Sequence, residues 1–259
     1  MKISVCIEML LTEYSFPERI KKVAELGFPA VEFWFWDTPE KGLPAIEKIV
    51  KETRIEVSDI VVNSPDGKIG GSLVAPADRK FYLKRLENTI AVAQRLRCQK
   101  LITCAGDLLP RISLREHTEN MIDALSEAVK MVESEGMMLL LEPLNTLVDH
   151  AGYFLNFSGP GFDVVRRIKN PHLRLLYDIY HMQIMEGNII NTVEKNIDLI
   201  GHFHLAGVPG RHELWLGELN YPAIIKKIDD LGYAGFFGLE YSPTLSSVES
   251  LRQFQKRFS

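Results

Sequence analysis

The chain is poor in several things, and each shortage removes a class of protein. Three cysteines, Cys6, Cys98 and Cys104, are odd in number and lack metal or redox spacing, so no disulfide framework is expected and a reducing, cytoplasmic setting fits. No window approaches the roughly 18 apolar residues of a membrane span. The apolar start MKISVCIEMLL is broken by Glu8 and is followed by no small-residue cleavage site, so it is expected to be a first strand and not a leader. Excess positive charge is also missing. Lys and Arg total 30 against 34 Asp and Glu, the formal charge is -4, and the basic residues are dispersed, which gives no footprint for nucleic acid or an anionic membrane. A small-molecule partner is favoured, and a homo-oligomer is compatible with the sequence. No Gly-x-Gly-x-x-Gly follows the first apolar run, which counts against a dinucleotide fold.

What is present is periodic. Apolar runs at 3 to 9, 30 to 35, 56 to 62, 100 to 105, 137 to 143, 173 to 179, 200 to 206 and 236 to 241 have the composition of strands covered on both faces. Helical patterns separate them. The first is marked by a capping box, Ser15 with Glu18, and by the stop at Gly27; others are expected near 39 to 53, 78 to 97, 113 to 135, 160 to 169, 188 to 198, 221 to 231 and 245 to 257. Eight strand-then-helix units without a linker predict a single α/β domain over 1 to 259, a (β/α)₈ TIM barrel, with an open doubly wound sheet as the alternative.

The last four strands each end on a possible metal ligand: Glu142, Asp178, His204 and Glu240, separated by 36, 26 and 36 residues. Those are βα-unit lengths, so in a barrel all four reach one rim. An ionised Asp178 at the end of LRLLYDI costs several kcal/mol unless compensated, and three clustered carboxylates repel unless a cation sits among them. Oxygen-rich ligation with one imidazole suits Mn²⁺, Mg²⁺ or Co²⁺, with Zn²⁺ also compatible. The competing reading makes each acid a helix cap or an arginine partner; four at matching strand ends favour a metal. His181, just past strand six, and Arg211, in the loop after strand seven, are candidates to hold a substrate hydroxyl or carboxylate. His202, two residues before His204, is expected one layer deeper, with a structural role. Trp36 is the aromatic expected at the pocket wall. The glycine-rich loop 64 to 79 is read as either a lid or a merely mobile loop.

The segments LLLEPLN, YDIYHMQIMEGN, GHFHLAGVPGRHE, GELNYPAI and GYAGFFGLEYSP, with the N-terminal EML-TEYSF and GFPAVEFWF, resemble the hydroxypyruvate isomerase family within the xylose-isomerase-like barrel group of sugar isomerases and epimerases. The resemblance implies that Glu142, Asp178, His204 and Glu240 bind a divalent metal, that Glu142 and Glu240 are acid and base, that His181 and Arg211 contact substrate, and that Asn145 and Glu8 assist. Histidine at 204 is closer to ketose 3-epimerases, whereas AGVPGRHE resembles 2-oxo-tetronate isomerases. The expected activity is isomerisation of a small hydroxy-oxo acid by proton transfer beside a carbonyl, through an enediolate. The alternatives are a ketose 3-epimerase, an abasic-site phosphodiesterase, disfavoured by charge and by seven histidines in all, and an inactive sugar-binding module that would not need both glutamates.

Overall fold

In a computed structural model, residues 1–258 are described, and they form a closed barrel of eight parallel strands in sequence order. The strands are β1 (Lys2–Cys6), β2 (Ala30–Phe33), β3 (Glu56–Val61), β4 (Lys100–Cys104), β5 (Met138–Glu142), β6 (Leu173–Asp178), β7 (Ile200–Leu205) and β8 (Phe236–Leu239). Closure is made by β8 against β1, with Lys2 opposite Phe236 and Val5 opposite Leu239. The helices are α1 (Phe16–Glu25), α2 (Leu43–Thr53), α3 (Arg79–Leu96), α4 (Leu114–Ser134), α5 (Ser158–Ile168), α6 (Ile179–Met185), α7 (Ile189–Asn196), α8 (Tyr221–Asp230) and α9 (Ser247–Phe258). The TIM barrel expected from the strand count is thus the fold, and the open sheet is excluded.

Local chemistry sets the boundaries. The Ser15 amide donates to Glu18 Oε2 at 3.1 Å, the reciprocal half of the capping box read from the sequence, and Ser113 with Glu116 repeats the device at α4. α2 starts at Leu43 and not near 39, because Gly42 sits at φ 59° and Pro44 is tolerated in a first helical turn. One helix was unforeseen: α6 begins directly on the end of β6, with Asp178 as its N-cap. No described helix is long and apolar enough to cross a membrane.

Two apolar bodies result. The larger lies between strands and helices, with Val5, Phe33, Leu101, Leu139, Tyr177 and Phe203 buried in it. The smaller, Val61, Ile102, Leu140 and Leu176, fills one side of the barrel interior. Ile102, Leu140 and Leu176 each stand two residues before Cys104, Glu142 and Asp178, so the same strand faces carry an apolar layer and then a polar rim. The other side of the interior is polar: Ser4, Glu32, Asp59 and His202 are all buried there.

Candidate metal and substrate site

Glu142, Asp178 and His204 come from β5, β6 and β7, and Glu240 follows β8 directly; β6 and β7 are registered with Asp178 opposite His204. Their ligand atoms all lie within 4.8 Å of one another, and all four side chains are buried. His204 Nδ1 is 3.2 Å from Glu240 Oε2, 3.5 Å from Glu142 Oε1 and 3.9 Å from Asp178 Oδ2. Two atoms each about 2.0–2.4 Å from one cation stand at most about 4.8 Å apart, so the spacing fits a single ion. A further observation supports the fit: Nδ1 of His204 is buried and has no hydrogen-bond partner. A ring nitrogen left without a partner among three carboxylates matches a cation in the gap. The convergence of these four residues was legible from strand ends alone, and Asp178 serves as a helix cap while still turning one oxygen to the cluster, since Oδ1 accepts from the His181 amide at 3.1 Å and Oδ2 lies 3.9 Å from His204 Nδ1.

The electrostatics are those of a site short of positive charge. Burial pushes the Asp178 carboxyl up to about 7, against the pull of Arg211 and His204. Burial opposes charge on His204, yet the Glu240 and Glu32 carboxylates raise its pKa well above the usual imidazole value. For Glu240 burial works upward, and the charges of Arg211 and His204 outweigh it and hold the carboxyl well below its usual range. Arg211 Nη2 donates to Glu240 Oε2 at 2.5 Å and stands 3.9 Å from Asp178 Oδ2, with its guanidinium over the Tyr180 ring. Its Nε is buried without a partner.

A cavity of about 180 Å³ opens onto this cluster, lined by Glu142, His181, Arg211, Glu240, Trp34 and His150 among others. His181 is fixed by Asn145, whose side-chain and backbone N–H groups both donate to Nδ1, at 2.7 and 3.2 Å. Nδ1 is therefore the acceptor, and the ring proton sits on Nε2, 3.5 Å from Asp178 Oδ2 and without a hydrogen-bond partner. Burial, with Arg211 nearby, keeps this ring neutral by lowering its pKa well below the usual value. The result is a neutral donor facing the cluster.

Three expectations need correction. Trp36 is not at the wall: its indole Nε1 donates to Thr89 at 3.2 Å and the ring lies under Arg85, so it belongs to the β2–α3 packing. Trp34, two residues earlier and directly after β2, takes its place and donates from Nε1 to Glu240 Oε1 at 3.1 Å. Glu8 does not enter the cavity; it is ion-paired to the buried Lys41 and accepts from the Trp34 amide at 3.1 Å, which orients Trp34 from behind. The loop 64 to 79 does not cover the cavity along its length in this structure. Asn63 donates to the carbonyls of Gly71 and Cys104 at 2.8 and 2.9 Å, and Ser72 packs so closely on Gly106 that a Cβ there would fall 1.8 Å from its Oγ. Ser64 and Pro65 alone of that loop line the cavity.

The sequence reading missed Glu32 and Asp59. Both interrupt apolar strands, AVEFWF and EVSDIVV, and carry the signal that drew attention to Asp178. His202 lies where expected, one layer down, with Nε2 3.2 Å from Glu32 Oε2 and 3.3 Å from Asp59 Oδ2.

Comparison with known proteins agrees with this geometry over nearly the whole chain. A protein from Xenopus laevis named putative hydroxypyruvate isomerase is 32% identical over 267 residues, covering 99% of this chain and 95% of that one. A 2-oxo-tetronate isomerase from Cupriavidus necator is 30% identical over 250 residues, covering 95% and 94%. Among solved structures, one titled AP endonuclease, family 2, from Brucella melitensis superposes with a TM-score of 0.91 at 27% identity, covering 98% of each chain. The family model described as xylose isomerase-like TIM barrel matches residues 20–257, and the chain belongs to that family.

Proposed function

We propose that the protein is a divalent-metal-dependent isomerase of a small hydroxy-oxo acid, of the hydroxypyruvate or 2-oxo-tetronate type. The observation that carries the reading is the convergence of two glutamates, 3.5 and 3.2 Å from His204 Nδ1, on a cavity whose wall holds a guanidinium. Isomerase is also the activity named for the curated relatives, on hydroxypyruvate in one case and 2-oxo-tetronate in the other. At about 180 Å³ the cavity falls below the 300–1,000 Å³ or so of sites for drug-sized ligands, which suits a substrate of three or four carbons.

Glu142, Asp178, His204 and Glu240 would hold the cation, with Mn²⁺, Mg²⁺ or Co²⁺ preferred by the three oxygens and one nitrogen and Zn²⁺ compatible. Bound there, a divalent ion supplies positive charge beside the reacting carbonyl and lowers the energy of the enediolate. The rest falls to the chain. One of the two glutamates takes the proton from the carbon that bears the hydroxyl beside the carbonyl, and its delivery to the former carbonyl carbon, with the hydroxyl proton passing to the former carbonyl oxygen, completes the isomerisation. Arg211 grips the substrate carboxylate, and the neutral His181 Nε2–H donates to a substrate oxygen. Trp34 and Phe35 exclude water on the apolar side.

Epimerisation uses the same intermediate with a proton returned to the same carbon from the other face, and the Arg211 guanidinium on the cavity wall is what favours an acid over a neutral ketose. Phosphodiester chemistry fits poorly with a net charge of -4. The three cysteines, all free and buried, suit a reducing compartment such as the cytoplasm. The test is a panel of hydroxypyruvate, 2-oxo-tetronates, free ketoses and an abasic oligonucleotide, each with added Mn²⁺ after chelation, followed by ¹H exchange from D₂O and by product analysis. Turnover of an oxo acid that is lost on chelation and restored by the metal is expected. Turnover of ketoses alone, or cleavage of the oligonucleotide, refutes the proposal.

A further inference from the structure

Beneath the rim the polar side of the barrel interior is organised around one carboxylate. Glu32, on β2, is 2% exposed and reaches both histidines of β7: Oε2 is 3.2 Å from His202 Nε2, and Oε1 is 3.2 Å from His204 Nε2. Ser58 Oγ lies 3.3 Å from Oε2 and 2.8 Å from Asp59 Oδ2. Room for the carboxylate comes from Gly238 on β8, where a Cβ would stand 2.2 Å from Glu32 Oε1 and 2.7 Å from His204 Cδ2. A buried acid in the floor of a barrel is costly, and none of the steps proposed above touches Glu32.

Two atoms here are unsatisfied in a complementary way. Glu32 Oε1 and His204 Nε2 are both buried and both lack a hydrogen-bond partner; they lie 3.2 Å apart, in ion-pair contact but out of line for a hydrogen bond. An imidazole that gives its N–H to a carboxylate on one side presents its lone pair on the other, and on that other side Nδ1 of His204 meets Glu142, Asp178 and Glu240. We propose that Glu32 is a positioning residue for the metal site: it holds His204 with Nε2–H directed into the barrel, so that Nδ1 faces the three rim carboxylates. The inference rests on the metal reading given under Proposed function.

A second cation in the lower layer is the competing account, because Glu32, Asp59, His202 and His204 also bring ligand atoms within 4.8 Å of one another. It would require His204 to ligate through both nitrogens at once and so to give up its ring proton altogether. A shared proton satisfies the layer with less.

The experiment is a titration with Mn²⁺ alone, reading free ion by EPR, on the wild type, Glu32→Gln, Glu32→Ala and Gly238→Ala, with circular dichroism for folding. One equivalent should bind to the wild type. Glu32→Ala is expected to weaken Mn²⁺ binding about 10- to 100-fold. Glu32→Gln, which keeps an acceptor oxygen and the shape but loses the charge, should recover part of that loss, and Gly238→Ala should weaken binding by displacing a carboxylate that is still present. In the Zn²⁺-loaded wild type a downfield, exchange-protected imidazole N–H proton is expected, shifted upfield in Glu32→Gln; a purely structural role would not move it. If Glu32→Ala does not fold, the isosteric Glu32→Gln carries both readouts. Affinity within about twofold of wild type in the folded variants, with an unmoved N–H signal, overturns the proposal. Two equivalents in the wild type with one lost in Glu32→Gln also overturns it, in favour of a second cation. A wild type that takes up no Mn²⁺ removes the metal reading itself and this proposal with it.

Discussion

Arg211→Lys separates an acid substrate from a neutral one. In the structure Nη2 of Arg211 is committed to Glu240 and the side chain lines the cavity, so a ligand carboxylate would meet the planar guanidinium fork that lysine does not possess. Lysine keeps the positive charge beside Glu240 and Asp178, and with it most of the balance of the cluster. What disappears is one charge-assisted hydrogen bond to a carboxylate, about 1.5–3 kcal/mol, or roughly a 10- to 150-fold fall in kcat/KM for an oxo acid. A ketose would offer that position a neutral hydroxyl, for which the loss is about 0.5–1.5 kcal/mol, roughly two- to tenfold. The assay is steady-state kinetics of wild type and variant on hydroxypyruvate and on whichever ketose reacts, at saturating Mn²⁺ so that altered metal affinity does not enter. Equal losses on both substrates would show that Arg211 serves the metal cluster and not a substrate carboxylate, and the acid reading would fall with it.

Glu240→Gln should reduce turnover and α-proton exchange at least about a hundredfold, because the amide oxygen can still accept from Arg211 or from Trp34, one of the two, but does not take up a proton; exchange near the wild-type rate in a folded variant contradicts a base role. Metal affinity should rise with pH. In the metal-free protein Asp178 holds a proton up to about 7 and His204 holds one beyond its usual range, and an incoming cation must displace both. Mn²⁺ should therefore bind weakly near pH 5.5 and more tightly toward pH 8; a dissociation constant that stays flat across that interval refutes the assignment of these two residues as ligands.

The fold and the rim were legible for the same reason. A parallel strand covered on both faces is an unbroken apolar run, and a polar residue that ends such a run marks the point where the chain leaves the core; Glu142, Asp178 and Glu240 all stand there. Helix starts were less legible where conformation, not hydrophobicity, decides. α2 is delayed by the left-handed Gly42, and α6 springs from β6 with no intervening loop, since Asp178 is at once the last strand residue and the cap. The choice between Trp34 and Trp36 failed on strand length. β2 stops at Phe33, and the chain then turns outward, so the residue nearer the strand end keeps its direction toward the barrel axis while Trp36 is carried over to α3.

The pairing within the lower layer was invisible for a deeper reason. Periodicity says that Glu32 and His202 share the inward faces of their strands, but β2 and β7 are not neighbours in the sheet, and Glu32 and His202 are 170 positions apart in the chain. Their pairing depends on closure of the barrel and on Gly238, the residue whose missing side chain lets a carboxylate from β2 cross to β7. The composition of the interior then becomes intelligible. Ile102, Leu140 and Leu176 supply dispersion and hydrophobic burial on the side of β4 to β6, and the opposite side gives up that gain to hold charged groups under His204. A barrel selected for stability alone would fill both sides with aliphatic residues. That this one does not, in the layer beneath the proposed metal ligand, locates the expense where the orientation of one imidazole matters most.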